Sequence, residues 1–254
     1  MARTQLRRAA LLALVCSLLM ASGVQAQGRG GAAEVTPRAG GPFDPTGYWV
    51  AIISEDWRWR MVTPARGDFP SIPMTLAAQQ VAEAWDPAAD EAAGEQCKAY
   101  GAPGLMRGPT RLHITWLNDT MLKVESDYGM QTRLFHFGPA MPTQGANTWQ
   151  GVSTAEWIIA GGGRGGGAQF GSLKSVTTQL RPGYLRKNGV PYSASTIFTE
   201  YWDLHTEANG DQYLVDTSSV VDPDYLQIPF VTALHFKKEP DGSKWDPSAC
   251  DARF

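Results

Sequence analysis

The sequence contains four histidines, His113, His136, His205 and His235, each inside a segment with strand-like alternation. Imidazole can ligate a metal or move a proton near neutral pH. No two of them stand at a ligand spacing such as His-x-His, so a metal centre would need the fold to bring distant strands together. The plainer reading packs each ring at the core edge with a local hydrogen bond. A second set is charged: Arg58, Arg60, Arg111, Lys123 and Arg133 with Glu55, Asp56, Glu125 and Glu200. Charges on strands commonly form solvated ladders. Here Trp57, Trp59, Tyr201 and Trp202 interleave with them, and aromatic walls with a few fixed charges are how small-ligand sites are built. An arginine fork suits a carboxylate or phosphate, because it offers two parallel donors. The expected lining of such a site is Trp57, Trp59, Arg111, His113, Arg133, His136, Glu200 and Trp202, around a small, partly apolar ligand.

Two other classes stay open. An enzyme could pair Glu200 with His113 or His136 for acid/base work, with or without a metal. A binding module could lend a sheet face or edge to a protein partner. Ser193 and Ser195 lack a Gly-x-Ser-x-Gly context, and there is no His-Glu-x-x-His. The run Gly161-Gly162-Gly163-Arg164-Gly165-Gly166-Gly167 lacks the following Lys-Ser or Lys-Thr and the helix that a phosphate loop requires. It reads as a hairpin connection, and no cofactor is assigned from the sequence.

These side chains need strands to position them. Tyr48, Val50 and Ile52 alternate with Trp49, Ala51 and Ile53; Leu112, Ile114 and Trp116 alternate with Arg111, His113 and Thr115. Trp57, Trp59 and Met61 alternate in the same way with Asp56, Arg58 and Arg60. Further runs at 122–124, 131–137, 149–159, 173–180, 195–205, 212–221 and 230–237 bring the total to about ten strands. Asn118-Asp119, Asn188-Gly189 and Asn209-Gly210 supply tight turns. Residues 75–85 form the best helix, capped by Thr75 and stopped by Asp86-Pro87, which can itself open a second short helix ending near Gly94. The expected fold is mainly β: one antiparallel, barrel-like (lipocalin-like) domain over residues 43–254, with one or two short helices near its start. Closure removes the open edges that invite aggregation.

Residues 1–26 read as a secretory signal peptide: arginines at 3, 7 and 8, a short apolar middle, and Val24-Gln25-Ala26 for cleavage. That apolar run is shorter than a membrane span, and no other run reaches such a length. Residues 27–42, rich in Gly and Ala, read as a flexible leader. Removal of 1–26 leaves 19 basic against 25 acidic side chains, a net charge of −6, which argues against a nucleic-acid partner. Two cysteines then remain, Cys97 and Cys250, and in an oxidising periplasmic or extracellular setting they pair.

The order of short blocks resembles a widespread family of secreted bacterial all-β proteins without an established function. The blocks are Cys97 with Gly101-Ala102-Pro103; Arg133-Leu134-Phe135; Trp149-Gln150-Gly151 with Glu156-Trp157; residues 188–193; Thr199-Glu200-Tyr201; and Asp222-Pro223 with Pro229. The resemblance implies an all-β barrel and brings no catalytic residue or cofactor. Where relatives carry a Gly-Asp turn after the equivalent of Trp157, this chain inserts its glycine-rich run.

Overall fold

The computed structural model describes residues 35–138, 145–161 and 169–253. The expected signal peptide, residues 27–34 of the leader and most of the glycine run lie outside the described residues.

The strands are β1 (Gly47–Ile52), β2 (Arg111–Asn118), β3 (Met121–Ser126), β4 (Gln131–Phe137), β5 (Val152–Gly161), β6 (Gln169–Thr178), β7 (Gly183–Arg186), β8 (Val190–Tyr192), β9 (Ile197–Thr206), β10 (Gln212–Val221) and β11 (Phe230–Glu239). Nine of them close a barrel in the order β1-β11-β10-β9-β6-β5-β4-β3-β2, with β1 joined back to β2. β7 and β8 form a separate hairpin. Every barrel pairing is antiparallel except β4 with β5, which run parallel over Phe135↔Ser153 to Phe137↔Ala155. β5 and β6 pair antiparallel out to Gly161↔Gln169.

Period-two patterning sets the inside. Trp49, Leu112, Ile114, Leu122, Val124, Phe135, Leu173, Trp202, Leu214, Leu234 and Phe236 are buried in one core cluster, while their strand neighbours point outward. One end of the barrel, where Phe198, Val220 and Phe230 lie, is covered by Met74, Ala78, Leu185, Val190 and Tyr192 in a second cluster. The covering elements follow the capping rules read from the sequence. Helix α3 (Leu76–Glu83) starts at Thr75, whose hydroxyl accepts from Ala78 N. Helix α4 (Pro87–Ala92) starts at Asp86, whose carboxylate accepts from Ala88 N and Ala89 N. A 3-10 turn (Gln96–Tyr100) and helix α5 (Ala102–Leu105) follow. Cys97 on that turn is bridged to Cys250, 153 residues away, with Cα atoms 5.0 Å apart. The long loop so closed stabilises the fold by up to roughly 4–5 kcal/mol.

Two expectations are corrected. Residues 57–61 are not a strand: helix α2 (Trp57–Arg60) closes a single turn in which Trp59 N and Arg60 N donate to Asp56 O. Alternation over so few residues fits one helical turn as well as a strand, and the capture of the Arg60 guanidinium by the Arg107 carbonyl decides it. The end of the leader is structured too. Helix α1 (Pro37–Gly40), capped by Thr36, packs on the barrel, with Arg38 N donating to Asp119 O and Trp157 Nε1 donating to Pro37 O.

Candidate functional site

The eight residues expected to line one site fall in three places. Arg133, Glu200 and Trp202 point into the barrel, each at most 1 % exposed. Arg133 binds Glu200 through two parallel hydrogen bonds, Nη1 to Oε1 at 2.7 Å and Nη2 to Oε2 at 2.5 Å. Ser175 Oγ donates to Glu200 Oε2 at 2.8 Å, and Arg133 Nη2 donates to Thr177 Oγ1 at 3.2 Å. Asp216 joins them from β10, fully buried. Burial, then the neighbouring Glu200 carboxylate, push its carboxyl well above the usual range, with Arg133 opposing.

Arg111, His113 and His136 point the other way. Arg111 Nε lies 3.4 Å from Glu239. His113 Nδ1 meets Glu125 at 3.1 Å, and its ring stacks on Tyr48 with centroids 4.2 Å apart. His136 is half-buried on the outer face, and burial lowers its pKa. Glu200 therefore does not share a cavity with His113 or His136, because strand alternation sends them to opposite faces, and the imagined acid/base pair is not formed. His205 meets Glu207 and His235 meets Glu55. Among the described residues no three His, Cys, Asp or Glu side chains cluster to hold a metal. Trp57 is 64 % exposed.

Trp59 alone of the eight borders an open cleft beside the covered end of the barrel, lining the recess next to it rather than the cleft itself. The cleft encloses about 390 Å³ between Arg60, Met61, Thr63, Pro109, Tyr128 and Lys187. A tight recess of about 30 Å³ shares Arg60, Tyr128 and Lys187 with it and adds Trp59, Arg107 and Arg186. Four separate segments supply these groups. Asp56 enters α2 in the left-handed region, φ 53°, and accepts from Arg107 Nη2 at 3.1 Å. Arg60 Nε donates to Arg107 O at 2.8 Å. The β7–β8 turn carries Arg186 and Lys187, and Asn188 Nδ2 ties it down by donating to Ala65 O and Asp68 O. Arg186 donates to Pro70 O and lies over the Trp59 ring, 5.1 Å from its centroid. Gly108 lets the Tyr128 ring approach the backbone: a Cβ there would lie 2.5 Å from Tyr128 Cε1.

The cleft is cationic. Arg60, Arg107 and Arg186 are each under 8 % exposed, and burial lowers all three pKa values, Arg60 and Arg186 to about 10. All stay charged at neutral pH. Their carboxylate partners are few: Asp56 at 3.1 Å from Arg107 and Glu55 at 3.9 Å from Arg60. Lys187 Nζ donates to Tyr100 Oη at 2.9 Å and sits over the Tyr100 and Tyr128 rings. Three buried donors of the recess, Arg60 Nη2, Arg186 Nε and Trp59 Nε1, have no hydrogen-bond partner among the described residues. Buried donors left unmade cost about 1–3 kcal/mol each, and an anion's oxygens would recover that.

Of these groups, Arg107, Tyr128, Arg186 and Lys187 were not foreseen as site residues. Arg186-Lys187 directly before the Asn188-Gly189 turn is a local positive pair without a neighbouring acid, and that was the one available signal. Compared with known protein families, curated proteins and solved structures, the chain matches none.

Proposed function

We propose that this chain is an exported barrel protein of the bacterial envelope that binds a small anionic molecule, a carboxylate or phosphate with an aromatic or apolar body, in the cleft beside the covered barrel end. One observation carries the reading: four cationic side chains line one recess with two carboxylates at ion-pair distance among the described residues, Asp68 and Asp251 acting from further away, in a chain whose overall charge is negative. Arg60 Nη2 and Arg186 Nε supply charged donors without a partner among the described residues, and Tyr128 supplies a wall for a flat body. The volume suits a compact ligand. The chain is lipocalin-like in being a closed barrel used for binding, but the ligand sits at the rim, since Trp202, Phe135 and the Arg133–Glu200 pair occupy the interior. Export rests on the pattern of residues 1–26 and accords with the Cys97–Cys250 bridge.

Phenyl phosphate tests the reading, with benzyl alcohol as a neutral control, by calorimetric titration. Phenyl phosphate should bind saturably and benzyl alcohol should not. Arg60→Met should weaken binding by roughly 10- to 100-fold, the value of one charged hydrogen-bonding group, with circular dichroism checking the fold. Equal affinity for the two probes, or for wild type and variant, would remove the cleft from consideration.

A further inference from the structure

We propose that Lys187 is a nucleophilic amine that forms an imine with the carbonyl group of an anionic aldehyde or 2-oxo acid held in the cleft. The inference rests on the anion-binding reading and narrows its ligand to a reactive class.

The geometry sets Lys187 apart from the other lysines. Lys98, Lys123, Lys174, Lys237 and Lys244 each hold a carboxylate at 3.0 Å or less. Lys187 and Lys238 have no carboxylate at ion-pair distance among the described residues; Lys238 lies over the Trp49 ring, and of the two Lys187 lines both parts of the cleft. Its Nζ touches a hydroxyl, that of Tyr100, and lies 4.8 Å and 5.1 Å from the Tyr100 and Tyr128 ring centroids. Tyr100 is fixed in turn: its hydroxyl also accepts from Asp251 N, next to the bridged Cys250. Burial pushes the Lys187 amine down to about 8, against a weaker pull from Asp251. About a tenth of it is then neutral at pH 7, far more than for a free lysine. Amines activated in this way, desolvated and beside other cations, are suited to carbonyl attack.

The step balances without an oxidant or reductant. The Nζ lone pair forms a bond to the carbonyl carbon, and the C=O π pair moves to oxygen. A proton passes from nitrogen to that oxygen, with the Tyr100 hydroxyl in contact to relay it. The carbinolamine then loses water, leaving a C=N bond. Meanwhile Arg60, Arg107 and Arg186 hold the anionic group, so the carbonyl is presented at short range.

The test uses the full chain with pyridoxal 5′-phosphate as probe, reduced by borohydride, and peptide mapping of all seven lysines. Lys187 should be labelled at least about tenfold faster than any other lysine, and phenyl phosphate should protect it. Pyridoxal without its phosphate should lose that selectivity, and Lys187→Arg should lose the label at position 187 while circular dichroism shows an unchanged fold. Uniform labelling across the lysines, with phenyl phosphate still bound, overturns the imine alone. Failure of phenyl phosphate to bind overturns the anion-binding reading and the imine with it.

Discussion

Trp202 and Asp216 are direct partners across the β9–β10 ladder, both buried inside the barrel. The indole Nε1 of Trp202 has no hydrogen-bond partner among the described residues, and the Asp216 carboxyl faces the Glu200 carboxylate. Burial and the Glu200 charge both raise its pKa, which favours the protonated carboxyl.

That arrangement makes stability depend on pH in a stated direction. The folded chain keeps a proton on Asp216 that the unfolded chain releases near pH 4, so the contribution is present below the unfolded value and is lost as pH rises through the folded one. Asp216→Asn removes this titration. Urea unfolding should find the variant close to wild type at pH 4 and more stable by about 1 kcal/mol or more at pH 8. A variant that loses stability equally at both pH values would show that the carboxyl is ionised in the fold.

Arg133 and Glu200 have side chains with no exposure and satisfy each other twice. Breaking such a pair strands the surviving charge. Glu200→Gln should cost about 3–5 kcal/mol in urea unfolding, and Arg133→Met a similar amount. The double variant Arg133→Met with Glu200→Leu should recover most of the loss, because an apolar replacement strands nothing. Phenyl phosphate affinity of the double variant should match wild type, separating this pair from the cleft.

Lys187 tests the cleft's own electrostatics. Its folded pKa, about 8, lies below its ordinary 10.5, so the unfolded chain holds more protons between those values. Stability from this group therefore rises with pH across that window. Lys187→Met should raise the melting temperature at pH 7, where the buried ammonium carries its full cost, and the advantage should shrink by pH 10. An advantage that stays constant from pH 7 to 10 would show that the amine titrates normally.

How much of this was legible in the sequence depends on the kind of pattern involved. The alternations at Tyr48-Val50-Ile52 and Leu112-Ile114-Trp116 appear as β1 and β2, and the Thr75 and Asp86 caps begin α3 and α4. Arg133 and Glu200 could be flagged as charges on strands but not as each other's partner, because 67 residues separate them. The cleft was illegible for the same reason: Arg60, Arg107, Tyr128 and Lys187 come from segments that share no ladder. The blocks that carried the family resemblance mark framework rather than the cleft. Asp222 accepts from Ser193, Thr196, Asp224 and Tyr225 and ties two loop segments, and Gly189, at φ +86°, leaves room for the Trp85 side chain.

β1 sits between β11 and β2, so the first barrel strand finds one of its two neighbours only when Phe230–Glu239 is present. A nascent chain can build hairpins from its middle outward, yet its circumference stays unsealed until Phe230–Glu239 has been made. Contacts this remote along the chain form slowly. For a polypeptide that we propose is threaded through a translocase, such lateness keeps it pliable until it has crossed.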